Sequence, residues 1–227
     1  MLAMPLARSA EGDQGEDASP FAGFDLVRRT PVLWTLLVIS LASAALVAPL
    51  LAVVLPAHFQ GLGRPELLGF SVSAYAVGTI VGSVLYGALF GSRRRPAWVA
   101  SMGLMMVGFA AVATLAGFWP VAVGMALAGV GGGLQQPITM VVLTRAVPDA
   151  VRARVFGVYS AAAMLVAPVG LGAASGIIAG WGLDAVARVI AGLWLLVGLW
   201  AVATPSLRDY LRTLTEEDAD ADHQPAG

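Results

Sequence analysis

The chain alternates between long apolar runs and short polar connections, and the runs set its architecture. Six of them are each about 20 residues or more, enough to cross roughly 30 Å of hydrocarbon as a helix. They run from Pro31 to about Pro56, Pro65 to Gly91, Pro96 to Gly117, Trp119 to Ala146, near Arg154 to Gly180, and Val186 to Thr204, where Pro205 stops the last. The connections are short, as in a tight bundle. The pattern predicts an all-α integral membrane protein with six transmembrane helices in residues 21–205. Residues 1–20 are polar and acidic and predict disorder. They lack a basic stretch followed by an apolar run, so they do not read as a signal peptide. Ser19-Pro20 reads as the start of a short interfacial helix or ordered linker carrying Phe21, Phe24 and Val27 at helical spacing. Residues 206–227 read as a cytoplasmic tail, amphiphilic to Leu214 and acidic beyond it.

Composition sharpens this. The chain is 58% hydrophobic and 12% charged, where a globular domain is about 25% charged. Bilayer lipid is therefore the expected solvent. Cysteine is absent, and His58 and His223 lie far apart, so no metal cluster or cofactor is expected. All 13 basic residues are arginine. Arg8, Arg28, Arg29, Arg93, Arg94, Arg95, Arg145, Arg152, Arg154, Arg208 and Arg212 fall on one side of the alternating spans, and only Arg64 and Arg188 on the other. Arginine-rich loops stay in the cytoplasm, so both termini are expected there, in a multi-pass protein of the cell inner membrane.

Polar residues inside the runs are unevenly shared. The third and sixth runs hold few and read as lipid-facing. In the second, Ser71, Tyr75, Gly78, Thr79, Gly82 and Tyr86 fall within about 100° of one helix face. That stripe fits close helix packing through small residues, or one wall of a polar cavity. In the fourth, Gly129, Gly133, Gln136, Met140 and Thr144 share a face. Pro137 has no N–H to offer the Gly133 carbonyl, which predicts a kink beside Gln135 and Gln136. In the fifth, Pro168 frees the Met164 carbonyl, and Gly172, Gly176 and Gly180 form a ridge that reads as a packing seam. No acid or base sits deep in a span, so this chain alone is not expected to carry ion coupling. The serines have no His or acid partner at catalytic spacing, and no phosphate-binding or dinucleotide fingerprint is present. An enzyme is not expected, and neither is a nucleic-acid partner.

The stretch GVGGGLQQPITMVVLTRAVPDAVRARVFGVYSAAAMLVAPVGLGAASGIIAG, from Gly129 to Gly180, resembles the tenth helix, cytoplasmic turn and eleventh helix of the major facilitator superfamily. Val147-Pro148-Asp149, Arg152, Arg154 and Gly157 fill its turn pattern. FDLVRRTPVLWTLL resembles the lead-in to the seventh helix. GALFGSRRRP matches the loop between the eighth and ninth helices in part, with Gly91 where an acidic residue is usual. The resemblance covers about Phe21 to Thr204 and is to the C-terminal six-helix half of a transporter, in tone a bacterial exporter. It implies half of a secondary transporter that moves a small, amphiphilic molecule by alternating access, with a second six-helix half as partner: a second copy or a separate chain. Tyr75, Thr79, Gln136, Met140 and Tyr159 are the expected cavity contacts. Arg93, Arg94, Arg95, Asp149, Arg152 and Arg154 are the expected cytoplasmic gate and packing residues. A non-transporting remnant or membrane scaffold remains the alternative.

Overall fold

The computed structural model describes residues 22–90, 93–205 and 209–213. The acidic N-terminal segment, Phe21, Gly91 and the acidic C-terminal run lie outside the described residues. A short helix, α1 (Ala22–Arg29), comes first. Six helices long and apolar enough to cross a membrane follow: α2 (Pro31–Gly61), α3 (Leu67–Phe90), α4 (Arg94–Ala113), α5 (Phe118–Ala146), α6 (Asp149–Trp181) and α7 (Leu183–Ala203). Short connections force successive helices to run antiparallel. The positive-φ glycines Gly63, Gly117 and Gly182 all sit in the turns at one end of the bundle, where a Cβ would be strained.

The first helix extends beyond Pro56, to Gly61. Pro49 and Pro56 each remove an amide donor, and between them the helix widens into a π turn over Leu50–Val54. There the Leu55 N–H bonds the Leu50 carbonyl, so the axis continues where a regular α-turn would break.

Helix α5 lies between α3 and α4 and packs extensively against both. Glycine makes both approaches possible. A Cβ at Gly78 would lie 2.3 Å from the Ala126 carbonyl oxygen, and one at Gly82 would lie 2.2 Å from that of Val130. Conversely, Cβ atoms at Gly129 and Gly133 would lie 2.2 and 2.1 Å from the carbonyls of Tyr75 and Thr79. The α-hydrogens of four glycines thus point at carbonyls across the seam, two in each direction, the Cα–H···O geometry of tightly packed helices. In lipid, where burying leucine gains little, such close contact is what holds helices together. On the opposite face Gly108, Gly124 and Gly131 bring α4 close as well, a Cβ at each lying 2.6 Å from its nearest neighbour atom.

The third apolar run is not the lipid-facing helix its composition suggests. Trp98, Met102, Met105, Phe109 and Val112 of α4 are buried, and the Phe109 ring stacks on Trp194 of α7 with centroids 5.0 Å apart. Few polar residues do not mean lipid exposure, because lipid and a helix neighbour are equally apolar. In the sixth run, α7 buries Trp194 and Ala201 while Leu195, Leu196 and Leu199 face outward. Helix α6 is the least covered, and it packs on α2 through Gly170, whose Cβ would lie 2.2 Å from the Ala45 carbonyl oxygen. Pro49 leaves that carbonyl without its amide donor. The Gly172–Gly176–Gly180 ridge does not form a seam within the chain: all three are exposed and nothing lies within 4 Å of their missing side chains. Helix α1 lies against α6 with Val27 fully buried, and an exposed Asp25–Arg29 pair at 2.8 Å on its other side.

Candidate functional site

Helix α5 runs continuously through Pro137, and the carbonyl that the proline leaves without a donor has a partner. Pro137 leaves the Gly133 carbonyl without its usual amide, and the Ser83 hydroxyl of α3 lies 3.3 Å from it. The same hydroxyl lies 3.0 Å from the Thr79 carbonyl of its own helix. One proton thus has two acceptors, one in each helix. Ser83 supplies across the seam what proline withdraws, as Ser and Thr commonly do in membrane helices.

Beside Pro137 a cavity of about 360 Å³ opens between α2, α3, α4 and α5. Leu36, Ser40, Ser43 and Val47 of α2 make one wall, at helical spacings of four, three and four. Gln135, Gln136 and Thr139, flanking Pro137, make the opposite wall, with Tyr75 and Met105 from α3 and α4. Ser43 is satisfied within its helix, donating to the Ile39 carbonyl at 2.8 Å. Tyr75 reaches α5 where Gly132 has no side chain, its hydroxyl 3.3 Å from where a Cβ would stand. The volume is at the small end of ligand-sized pockets.

The residues named from sequence are distributed as follows. Tyr75 and Gln136 line the cavity. Thr79 is half-buried in the α3–α5 seam and donates to the Tyr75 carbonyl at 3.0 Å. Met140, one turn beyond Gln136, is 52% exposed on the outside of the bundle. Tyr159 is not at the cavity. It is buried, and its hydroxyl donates to the Leu33 carbonyl, tying α6 to α2. Ser40, Ser43, Gln135, Thr139 and Met105 complete the lining without having been named as contacts. The α2 pair was legible as two hydroxyls on one face of a run that was read only for its length.

Among the arginines, Arg152 reaches back over the α5–α6 turn and donates to the carbonyls of Thr144 at 2.9 Å and Val147 at 3.4 Å. It caps the end of α5, whose last carbonyls lack helical partners. Arg94 is buried at the start of α4, whereas Arg93, Arg95 and Arg154 are exposed. The Asp149 side chain lies outside what the structure describes. Among the described residues no group of three or more His, Cys, Asp or Glu could hold a metal.

Residues 33–222 match the family model described as Major Facilitator Superfamily. The chain belongs to the major facilitator superfamily. Among curated relatives of this facilitator chain are the "Multidrug efflux pump Tap" of Mycolicibacterium fortuitum, 30% identical over 198 residues, covering 82% of this chain and 46% of the relative. The "Multidrug efflux pump Tap" of Mycobacterium tuberculosis (strain ATCC 25618 / H37Rv) is 33% identical over 153 residues, covering 66% of this chain and 36% of the relative. The facilitator chain therefore spans less than half the length of these relatives. No solved structure gives a significant match. Family and helices together make it a multi-pass protein of the cell membrane, and membership of a transporter family agrees with the non-enzymatic reading.

Proposed function

We infer that this facilitator chain forms one half of a secondary transporter, which moves a small amphiphilic molecule by alternating access across a cavity shared with a second six-helix unit. The observation that carries this is the cavity beside Pro137, where hydrogen-bonding side chains converge in the middle of spans whose charged residues lie only at their ends. Tyr75 and Gln136 are its substrate contacts. Thr79 holds the seam behind them, and Met140 reaches the substrate path only when the second unit closes over it.

Two outward faces supply the interface. Along α3, Phe70, Val77, Ile80, Val84 and Leu89 are 59–67% exposed; along α6 the Gly172–Gly176–Gly180 ridge is open. A two-fold axis through the mouth of the cavity brings the α3 of each unit against the α6 of the other. Glycine ridges favour such close association. The second unit is another copy of this chain or a separate stretch of polypeptide. Arginine placement supports both chain termini in the cytoplasm, with Arg94 and Arg152 packing the gate between the halves on that side and Arg93, Arg95 and Arg154 at its surface. Asp149 is the acid proposed to work among them.

The test uses single cysteines, since the chain has none of its own. In proteoliposomes holding the native assembly, an amphiphilic dye should exchange across the bilayer by counterflow, which needs no coupling ion. Filling the cavity with a maleimide on Ser40→Cys should abolish the exchange. In whole cells, an impermeant maleimide should label Gln60→Cys and leave Arg93→Cys untouched. Exchange that continues with the cavity filled would remove this cavity as the transport path, absence of any exchange in the unmodified assembly would remove the transport reading, and external labelling of Arg93→Cys would invert the orientation.

A further inference from the structure

The chemistry of the cavity wall narrows what it can hold. Among the described residues the side chains of Ser40, Gln135, Gln136 and Thr139 have no hydrogen-bond partner within the chain, and all four line the cavity. Two carboxamides on consecutive residues present N–H donors and C=O acceptors close together. Among the described residues no Asp, Glu, Lys, Arg or His lines the cavity, and none occurs in residues 67–92, 96–144 or 155–183 of the sequence. An ion placed here would lose its hydration with no counter-charge from this chain in reach, which is strongly unfavourable in a low-dielectric site. A neutral molecule incurs no such penalty. The remaining wall, Leu36, Val47 and Met105, offers an apolar surface and an adaptable thioether.

We propose that the cavity selects an uncharged amphiphile carrying an amide-like edge, a donor beside an acceptor as in a lactam or a urea, which pairs with Gln135 and Gln136 while its apolar body lies on Leu36, Val47 and Met105. This rests on the cavity being the transport site. The selectivity follows from pairing. A polar wall built to bond a donor and an acceptor discriminates against an analogue that lacks one of them, because a wall group is then left unpaired. When two copies of the chain form the assembly, the second wall is equally uncharged.

Three probes separate the possibilities in the full chain reconstituted in lipid nanodiscs with Ser40→Cys as reporter. The neutral lactam 7-amino-4-methylquinolin-2-one carries an N–H beside its carbonyl. The lactone 7-amino-4-methylcoumarin has the same shape with a ring oxygen in place of that N–H. Tetraphenylphosphonium is a lipophilic cation. The lactam should slow maleimide labelling of the cysteine at about tenfold lower concentration than the lactone, and the phosphonium should give no protection in that range. Changing Gln135→Met together with Gln136→Met keeps side-chain length and should erase the lactam's advantage over the lactone. Equal protection by lactam and lactone, or protection by the phosphonium, would overturn the proposed ligand class while leaving the cavity as a binding site. Protection by none of the three would overturn both.

Discussion

Gly133→Ala is expected to push α3 and α5 apart and to cost the bundle more than any other single methyl group. The added carbon would stand 2.1 Å from the Thr79 carbonyl oxygen and 2.9 Å from the Ser83 amide nitrogen. Both are backbone atoms in the middle of a helix, so no side chain can swing aside. Overpacking of this kind costs about 1–3 kcal/mol and occasionally more, and here it also removes the Cα–H···O contact at that level. Gly192→Ala on α7 is the control. Nothing lies within 4 Å of that position, and a helix gains up to about 1 kcal/mol from alanine in place of glycine. Thermal unfolding of the two purified variants in detergent should show a clear fall for Gly133→Ala and no fall for Gly192→Ala. Equal behaviour would mean that the α3–α5 seam is not where the bundle is held.

The second large effect is at Pro137. Pro137→Ala returns an N–H to the Gly133 carbonyl and closes the helical ladder. Substrate exchange should fall at least about tenfold if the open ladder there shapes the transport cavity, while membrane insertion stays normal, since an interior proline opposes regular helix by up to about 3 kcal/mol. Ser83 makes this testable as a cycle. With Pro137 present, Ser83→Ala leaves the Gly133 carbonyl unpartnered, at a cost of about 1–2 kcal/mol. With Pro137→Ala in place, the carbonyl has its backbone donor and Ser83→Ala should cost almost nothing. That difference is the coupling energy between the two residues. A Ser83→Ala cost that is the same in both backgrounds would show that the hydroxyl serves only its own helix.

These two sites show how far the sequence reached. Run length and short connections were enough for six helices, because a membrane span has a fixed minimum length. The missing amide of Pro137 is a covalent fact, so the carbonyl it leaves without a donor was legible. Its partner was not, because Ser83 is one of many serines in apolar runs and only the relative rotation of α3 and α5 selects it. The glycine stripe of α3 was legible as a packing surface, since glycine at a spacing of four removes the same side of a helix each turn. The Gly172–Gly176–Gly180 ridge has the same pattern but faces outward, and a pattern of small residues does not say which neighbour fills it. Tyr159 was placed at the cavity as a polar group in an apolar helix, but a phenol that reaches a carbonyl of the next helix is equally well satisfied as a tie. Helix α4 was read from its scarcity of polar residues, which in lipid carries no information about burial. Ser40 and Ser43 show the opposite failure: hydroxyls on the cavity wall passed as part of an apolar run.

Helices α3 and α6 are proposed to face a second six-helix unit across the cavity. A photo-activated cross-linker attached to single cysteines in the native membrane tests that interface. Ile80→Cys on α3 and Gly176→Cys on α6 carry it on the proposed interface. Val107→Cys on α4 and Leu196→Cys on α7, 58% and 63% exposed, carry it on faces assigned to lipid. A discrete product containing two six-helix units is expected from Ile80→Cys and from Gly176→Cys, and only lipid adducts from the other two. No protein product from the α3 and α6 positions, or equal yields from all four, would contradict it.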